Sequence, residues 1–306
     1  YGLLDDAAVF EAAPGDLVLT VDAVVAGVHF FPDDPPEDIG RKALRVNLSD
    51  LAAKGAEPRG FLLALGLSAD WTETWLAAFT RGLGSDARDF GCPLLGGDTV
   101  RVADRLFVSI TALGAVPPGR VVRRGGARPG DRLYASGTIG DAALGLRMQH
   151  DPDAAARWGL AADDRDLLLR RYRLPEPRLA LAPVLLRHAS AAMDISDGLA
   201  GDLGKLLRAS HATAVVEVGR VPLSVAGRRA LDREPGLIED ILSGGDDYEI
   251  LCAVPAEAAE PFEAEAEATG VAVTRIGTVL AGEGPALLQL PGGELLRLRR
   301  ASFSHF

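Results

Sequence analysis

Seven of the aspartates in this sequence occur in short motifs, and nearly every one of the seven follows an apolar run or lies next to a glycine. They are spread over the whole chain of 306 residues: Asp6, Asp22, Asp50, Asp98, Asp194, Asp197 and Asp246. Because apolar runs predict buried strands and helices, the pattern predicts a fold that repeatedly places a carboxylate where such an element ends. Two carboxylates about 4 Å apart repel by roughly 4 kcal/mol at an effective dielectric constant of about 20, so a cluster of them requires cations. The pattern is typical of a phosphate site that holds several metal ions.

Magnesium is the metal that this sequence favours. Hard divalent ions take oxygen ligands and share their coordination among carboxylates, water and substrate phosphates. Cys92 and Cys252 stand far apart, and the five histidines show no paired spacing. This argues against zinc and iron–sulfur sites.

Composition excludes several classes of partner. The net charge of −11 argues against binding to a nucleic-acid backbone. No apolar stretch approaches the length of a membrane span, so no membrane association is predicted. Two scattered cysteines and no signal peptide predict a cytoplasmic protein. An anionic substrate would then require a metal ion at the site.

Hydrophobic periodicity predicts an α/β protein of two domains, residues 1–117 and 118–306. The junction is placed at Pro117, Pro118 and Gly119, which precede a run of arginines. In the first domain we expect strands over 17–21, 61–67, 94–97 and 106–116, and helices over 35–55 and 71–90. In the second we expect strands over 133–136 and 191–195 and a helix over 199–210.

Two short segments of the first half resemble segments of the second half. Residues 47–51 resemble 194–199, and residues 94–98 resemble 242–246. We interpret this as a weak internal pseudo-repeat that places acidic residues at equivalent strand or helix ends, where ligands gather in open α/β sheets.

Each motif taken alone also has a purely structural interpretation. Ser49 and Ser196 could cap helices, and the pairs 97–98 and 245–246 could form turns. Residues 137–140 could cradle a phosphate, but a structural turn is the favoured interpretation. Surface arginines such as Arg124 are mostly solvated, and His29 could be a packed loop residue. It is the joint occurrence of the motifs that favours a metal site.

Familiar nucleotide and hydrolase motifs are absent from the sequence. It contains no Walker A element, no His-Arg-Asp catalytic loop and no Gly-x-Ser-x-Gly elbow. Phosphoryl transfer without these parts would depend on carboxylates and several Mg²⁺ ions, which position the reactants and neutralise charge.

A set of motifs then carries a family resemblance over essentially the whole chain. In sequence order they are 4–9 (LDDAAV), 20–22 (TVD), 27–30 (GVHF), 47–55 (NLSDLAAKG), 96–99 (GGDT), 194–199 (DISDGL), 243–249 (SGGDDYE) and 302–306 (SFSHF). In these motifs the chain resembles the thiamine-monophosphate kinases, a family in the superfamily of aminoimidazole ribonucleotide synthetase.

The resemblance implies three groups of site residues. The implied magnesium ligands are Asp6, Thr20, Val21, Asp22, Asp50, Asp98, Asp194 and Asp197. The implied nucleotide contacts are Gly97, Asp98, Arg124 and Ser196. The implied substrate contacts are His29, Asp246 and Phe303.

The resemblance also implies a fold and an activity. The expected fold is the two-domain α/β (α+β) architecture like aminoimidazole ribonucleotide synthetase, with an N-terminal domain whose sheet dimerises and a larger C-terminal domain. The expected partners are ATP, thiamine monophosphate and a second copy of the chain. The expected reaction is direct in-line transfer of the γ-phosphoryl group, which gives thiamine diphosphate without a covalent enzyme nucleophile.

The chain departs from the family pattern at three positions. Leu4 stands where a glycine is usual, Val21 where Thr or Ser is usual, and Asp246 where Glu is usual. The change at Val21 matters most, because valine has no hydroxyl and could supply only its main-chain carbonyl to a metal.

Other functions stay open at this point. Selenophosphate synthetase and the hydrogenase maturation factor each require a reactive cysteine, or selenocysteine, that is not visible here. Aminoimidazole ribonucleotide synthetase is harder to exclude, although segments 27–30 and 244–249 favour the kinase. A noncatalytic nucleotide or metal sensor is the alternative from another class.

Overall fold

The computed structural model describes residues 14–300 and residue 302. These residues form two compact units. The first comprises 14–51 and 56–121, and the second comprises 52–55 and 122–300 with residue 302. The predicted domain junction near residue 117 stays a prediction.

The first unit is a four-stranded sheet with two helices, as far as its described residues go. Its elements are β1 (Asp16–Val25), α1 (Pro36–Ala53), β2 (Glu57–Leu67), α2 (Glu73–Asp89), β3 (Leu94–Arg101) and β4 (Phe107–Val116). The strand order is β1-β4-β2-β3; β4 is antiparallel to both of its neighbours, and β2 and β3 are parallel.

Buried and less buried side chains alternate along a strand of this sheet, which shows that one face of the sheet is covered. In β4, every second residue is buried, among them Val108, Ile110 and Ala112. Successive side chains of a strand point to opposite faces, so these three lie on one covered face. On α1, Leu44 and Leu48 are fully buried, because the spacing of four residues places them on one side of the helix.

Two predictions about the acidic motifs are wrong. Asp98 does not end a strand, because β3 continues to Arg101. Residues 47–51 lie inside α1, whereas 194–199 leave a strand, turn and enter a helix. The expected equivalence of element ends therefore fails. A match of five residues does not fix secondary structure, since the apolar spacing over 36–53 is helical throughout.

The second unit is a seven-stranded sheet flanked by helices in the part of the chain that is described. Its strands are β5 (Arg132–Ser136), β6 (Ala191–Ile195), β7 (Thr213–Glu217), β8 (Glu249–Val254), β9 (Val273–Leu280), β10 (Leu287–Gln289) and β11 (Leu295–Leu296). Its helices are α3 (Asp141–His150), α4 (Ala154–Arg157), α5 (Ala162–Arg173), α6 (Ala182–His188), α7 (Leu199–Ser210), α8 (Val225–Arg233), α9 (Ile238–Ser243) and α10 (Ala259–Ala268).

The strand order of this larger sheet is β11-β10-β7-β9-β5-β8-β6. Among the described strands of this larger sheet, only β10 and β7 form a parallel pair. Strand β8 is buried at all six positions, as expected for a central strand covered on both faces. The motifs at 194–199 and 243–249, which were predicted to carry site residues, overlap the end of β6 and the start of β8, two neighbours in the sheet.

No helix within the described ranges combines the length and the apolar character needed to cross a bilayer. The described fold is a mixed α/β architecture, as predicted.

A buried carboxylate joins the two helices of the first unit. Asp86 on α2 is fully buried and accepts hydrogen bonds from Arg41 Nε at 3.0 Å and from Arg45 Nη2 at 3.1 Å, both on α1. Arg45 is itself largely buried. A buried charge is stable only when paired and hydrogen-bonded, so Asp86 depends on these arginines and they on it.

We expect Asp86→Ala to lower the free energy of unfolding by roughly 3 kcal/mol, because two guanidinium groups lose their shared partner. Chemical denaturation of the purified protein measures this. Asp89→Ala on the same helix is the matched control, since Asp89 is exposed and should change stability by less than about 0.5 kcal/mol. Equal effects of the two variants would contradict the role given to Asp86.

Candidate active site

Three of the predicted metal ligands lie close together in the first unit. Thr20 Oγ1 donates a hydrogen bond to Asp50 Oδ2, and the backbone N–H of Asp22 donates to Asn47 Oδ1 at 3.1 Å. Thr20 and Asp22 are two residues apart on β1 and so share the face that α1 covers. On α1, Asn47 and Asp50 are three residues apart and share the side that meets this strand.

Asn47 is a positioning residue whose role was not predicted from the sequence. It is fully buried, and its Nδ2 donates to Ala43 O at 3.0 Å while its Oδ1 receives the N–H of Asp22. Its amide therefore fixes β1 against α1 beside two predicted ligands. The neighbouring Ser49 is buried inside α1 and does not cap a helix, so that alternative is wrong.

Val21 points away from this group of oxygen atoms. It lies between Thr20 and Asp22 on β1, and its side chain is 62% exposed on the opposite face of the sheet. The valine side chain therefore does not displace a ligand from the Thr20 face. Only the main-chain carbonyl of Val21 could serve a metal ion.

Asp98 is not brought to the Thr20 face. The strand pairing aligns it with Ala64, Ser109 and Ala23, whereas Asp22 aligns with Ile110 and Leu63. Residues in register share a face, so Asp98 and Asp22 lie on opposite faces of the sheet.

Gly97 has a clear structural role next to Asp98. A Cβ atom at Gly97 would lie 2.0 Å from the carbonyl oxygen of Leu63 on the neighbouring strand. The pairing of β2 with β3 therefore requires glycine here. The turn considered for residues 97–98 is wrong, because both lie within β3.

His29 lies in the turn that follows β1. Its Nδ1 accepts a hydrogen bond from the backbone N–H of Val25 at 3.1 Å, and its carbonyl oxygen accepts one from Lys42 Nζ at 2.8 Å. When the imidazole is neutral, acceptance at Nδ1 places the ring proton on Nε2. The turn therefore presents His29 as an N–H donor.

In the second unit, two loops that carry predicted site residues are hydrogen-bonded to each other. The backbone N–H of Asp246 donates to Ser196 O at 2.9 Å, and that of Tyr248 donates to Ile195 O at 2.8 Å. Asp194 lies just before this contact in β6, where it pairs with Ile250 and is 7% exposed. The structure thus brings Asp194, Ser196 and Asp246 into one neighbourhood.

Unusual backbone angles shape both loops. Gly198 has φ 101°, and a Cβ atom there would lie 2.6 Å from the carbonyl carbon of Ser243. Asp246 has φ 72° and Tyr248 has φ 50°, a left-handed conformation that is uncommon for non-glycine residues. Such conformations cluster at functional sites, and here they occur at a predicted substrate contact.

Asp202 stabilises the loop at Ser196 and Asp197 through hydrogen bonds with its backbone. This residue of α7 is fully buried, and its Oδ2 accepts the backbone N–H groups of Ser196 and Asp197, each at 2.9 Å. Lys205 Nζ donates to Asp202 Oδ1 at 2.7 Å and also pairs with the Asp197 carboxylate. Burial raises the pKa of Asp202, and the bond from Lys205 opposes that shift. Neither residue belongs to a recognisable motif; the only signal in the sequence is their spacing of three residues on one helix.

Glu249, the last residue of the 243–249 motif, is buried in the interior of the second unit. Glu249 is fully buried and accepts hydrogen bonds from Arg171 Nη2 at 2.6 Å, Arg178 Nε at 2.7 Å and Ser136 Oγ at 2.5 Å. Glu249 is therefore a structural anchor. No sequence pattern singled out Arg171 and Arg178, because their partner is more than 70 residues away.

The Asp247 carboxylate lies at the N-terminal end of α3, next to the loop 137–140 that was considered as a phosphate site. Both of its carboxylate oxygens lie 2.9 Å from the backbone N–H of Gly140, immediately before α3. Burial raises the pKa of Asp247 well above its ordinary value, against the effect of this hydrogen bond. This contact of Gly140 favours the structural interpretation of residues 137–140, which stays a prediction.

The remaining predicted residues are more peripheral. Arg124 is exposed on a loop held by the hydrogen bond from Ala192 N to Arg123 O at 2.9 Å. Asp6 and Phe303 lie outside the described residues.

The donor atoms in both units fit a hard cation. They are carboxylate, hydroxyl and carbonyl oxygens, which Mg²⁺ prefers over sulfur or imidazole. Within residues 14–300 and 302, however, no group of three or more His, Cys, Asp or Glu side chains is arranged to hold a metal ion.

Comparison with known proteins gives the same class for both parts of the chain. Residues 4–116 match the family model described as AIR synthase related protein, N-terminal domain, and residues 128–288 match its C-terminal domain. The thiamine-monophosphate kinase of Caulobacter vibrioides is 48% identical over 286 residues, which cover 92% of this chain and 79% of that protein.

Two solved structures agree with this. The thiamine-monophosphate kinase of Stenotrophomonas maltophilia K279a is 38% identical, with a TM-score of 0.87 over 97% of this chain and 92% of that one. AaThiL complexed with AMPPCP and TMP is 29% identical, with a TM-score of 0.84 over 99% of this chain and 91% of that one.

The two matched domains and the two α/β units define a two-domain AIR synthase related protein. Within that class, the chain belongs to the thiamine-monophosphate kinase family.

Asp202→Ala should lower the free energy of unfolding by about 2–4 kcal/mol, because two backbone N–H groups and Lys205 lose their acceptor. It should also weaken binding of AMPPCP, measured by calorimetry, because Ser196 loses its support. Asp202→Asn keeps an acceptor oxygen and should retain most of both properties. Asp232→Ala, at an exposed acid on α8, is the control. If Asp202→Ala bound AMPPCP as wild type does, the positioning role would be wrong.

Proposed function

We propose that this chain phosphorylates thiamine monophosphate with ATP and releases thiamine diphosphate and ADP. The observation that carries the proposal is the 48% identity to a thiamine-monophosphate kinase over 92% of the chain. The AaThiL structure complexed with AMPPCP and TMP supports the choice of both substrates, since AMPPCP is an ATP analogue. The uncommon backbone of the Asp246 loop adds support from this chain itself.

The proposed reaction needs no enzyme nucleophile and no general base. The acceptor phosphate is already ionised at neutral pH, so the barrier lies in bringing two anions together in line. We assign nucleotide contacts to Gly97, Asp98, Arg124 and Ser196. The guanidinium of Arg124 offers a fork of donors that suits phosphate oxygens.

Magnesium ions are part of the proposal. In the first unit Thr20, the Val21 carbonyl, Asp22 and Asp50 would hold them, together with Asp6, and Asp98 would do so on the opposite face of the sheet; in the second unit the ligands would be Asp194 and Asp197. Bound Mg²⁺ would supply charge neutralisation for the phosphates of donor and acceptor. The Asn47 amide and the Asp202 carboxylate keep the main chain of two of these ligands, Asp22 and Asp197, in place through hydrogen bonds from their backbone N–H groups.

We assign acceptor recognition to His29, Asp246 and Phe303. The Nε2–H of His29 can donate to an oxygen atom of the substrate, and the Asp246 carboxylate can face the cationic thiazolium ring. Phe303 can stack on a flat heteroaromatic ring.

Asp50→Asn and Asp194→Asn should each lower the turnover of thiamine monophosphate by at least about 100-fold, because each removes one charge from the proposed metal set. Product is measured as thiamine diphosphate formed with ATP and saturating Mg²⁺. In Asp50→Asn the new amide oxygen can still accept the hydrogen bond of Thr20, so circular dichroism should be unchanged.

Asp153→Asn, at an exposed position, serves as the activity control. Near-normal turnover in either site variant would remove that residue from the proposed machinery. Wild-type protein that binds ATP but forms no thiamine diphosphate would favour a sensor over an enzyme.

A homodimer is also part of the proposal, and the exposed face of the first sheet supports it. Leu17, Leu19 and Val21 lie on one face of β1 and are 46%, 63% and 62% exposed. Leu62 on β2 is exposed on the same face, since it and Val21 both pair with Thr111. A contiguous apolar face of this kind marks an interaction surface.

Leu19→Glu should convert the proposed dimer to a monomer of 32.1 kDa, because a charge would be buried without a partner in a symmetric interface. Light scattering after size-exclusion chromatography measures the mass. Leu295→Glu places the same charge at an exposed leucine of the second unit and should leave the mass unchanged. A dimer that persists in Leu19→Glu would rule out this face.

We also propose a cytoplasmic location, because ATP is a cytoplasmic co-substrate. Cys92 and Cys252 are both free and buried, which suits a reducing compartment.

A further inference from the structure

The loop of residues 122–127, which we call the arginine loop, follows the edge of the larger sheet. Strand β6 stands at the end of the described strand order, and its Ala192 N–H donates to Arg123 O at 2.9 Å. Lys54 fixes the same place. Its carbonyl oxygen accepts the N–H of Val122 at 3.2 Å, and its Nζ donates to the carbonyl oxygen of Ala192 at 2.8 Å. The start of the loop is therefore held by backbone hydrogen bonds, which also satisfy the edge of β6.

Ser210, the last residue of α7, holds the other end of the arginine loop. Its Oγ lies 3.2 Å from the backbone N atoms of both Gly126 and Ala127 and accepts a hydrogen bond from each. The loop also packs closely on the helix end, because a Cβ atom at Gly125 would lie 2.3 Å from the carbonyl oxygen of Ala209. Both ends of the loop are therefore fixed, one by β6 and the other by α7.

The arginine side chains between these two anchors are exposed. Arg123 and Arg124 face solvent, whereas the residues at either end of the loop are buried. Ala192, the loop's partner on β6, is two residues before Asp194, which corresponds to about 7 Å at the usual rise of a strand. The loop thus presents guanidinium groups near a proposed metal ligand, and a guanidinium fork suits the oxygens of a phosphate.

We propose that Ser210 is a positioning residue for the nucleotide contact Arg124. The inference rests on the proposed function and deepens it, because Arg124 is assigned there to the nucleotide. Without the two hydrogen bonds that Ser210 accepts, the backbone under Arg124 would have to be ordered when the nucleotide binds, and this ordering costs affinity. Helix α7 then supports both nucleotide-contact segments, because Asp202 near its start bonds the backbone N–H of Ser196 in the same way.

The test compares Ser210→Ala, which removes the acceptor, with Ser210→Thr, which keeps a hydroxyl oxygen. Ser210 is half-buried at a helix end, so neither variant should unfold the protein. We expect Ser210→Ala to weaken binding of AMPPCP with Mg²⁺ about fivefold by calorimetric titration, since the net contribution of a hydrogen bond corresponds to a factor of this order. Ser210→Thr should stay within about twofold of the wild type, because the acceptor is retained.

Two further measurements show that the effect is specific. The affinity of Ser210→Ala for thiamine monophosphate should stay within about twofold of the wild type, because the acceptor contacts are not held by this hydroxyl. Ser85→Ala, which removes a serine hydroxyl from α2 of the first unit, is the matched control and should bind AMPPCP as the wild type does. Equal losses of affinity for AMPPCP and thiamine monophosphate would indicate a general loss of stability and would overturn the proposal.

A double-mutant cycle with Arg124→Ala determines whether Ser210 acts through this arginine. Arg124→Ala alone should weaken AMPPCP binding at least about tenfold, because a charge-assisted contact is lost. In that background, Ser210→Ala should change the affinity by less than about twofold, because the side chain that it positions is gone. An undiminished effect of Ser210→Ala in that background would overturn the proposal. Wild-type affinity for AMPPCP in either single variant would do so as well.

Formation of thiamine diphosphate by the wild-type protein is measured separately, which keeps this inference distinguishable from the proposed function. Coupling between Ser210 and Arg124 in a protein that forms no thiamine diphosphate would retain the positioning role and reject the proposed function. Formation of thiamine diphosphate without that coupling would reject the positioning role and retain the proposed function.

Discussion

A buried carboxylate requires cations or N–H donors as partners, and this requirement decides which acidic residues of the chain can be buried. Asp86 is held by two arginines, Glu249 by two arginines and a serine, and Asp202 by two backbone N–H groups and a lysine. Each of these inner acids joins elements that are distant in sequence or supports a loop. In the second unit, Asp202 bonds the loop of Ser196 and Asp197, and Glu249 pairs with Ile195 next to Asp194, so the candidate residues there depend on structural acids.

Adjacent acids in one motif can have opposite roles for this reason. Asp246 adopts a left-handed backbone conformation next to Ser196, whereas Asp247 is buried against the N–H of Gly140. Their identical side chains give no clue to this difference. The backbone conformation between α9 and β8 decides it: Asp246 is left-handed, and the next residue, Asp247, is buried where its carboxylate reaches the N–H of Gly140.

Much of the fold could be predicted from the sequence, because apolar periodicity is a local signal. The helix predicted over 199–210 has these bounds, and the strand predicted over 191–195 does as well. Positions that depend on pairing between distant strands could not be predicted. Asp98 lies within a strand, on the face opposite Asp22, because of the register of β3 with β2, of β2 with β4 and of β4 with β1. Asn47, Asp202 and Arg171 likewise gain their roles only from tertiary contacts.

The two faces of β1 differ: one is covered by α1 and the other is an exposed apolar surface. Thr20 and Asp22 lie on the face covered by α1, and Leu19 and Val21 lie on the exposed apolar face. With a period of two residues, a change at an odd-numbered position alters one face and leaves the side chains of the other in place. Valine at position 21 therefore extends the apolar surface and keeps the backbone carbonyl between two oxygen-bearing residues. The departure from the family pattern at this position is thus compatible with the oxygen donors on the Thr20 face, because the hydroxyl that it loses would have pointed away from them.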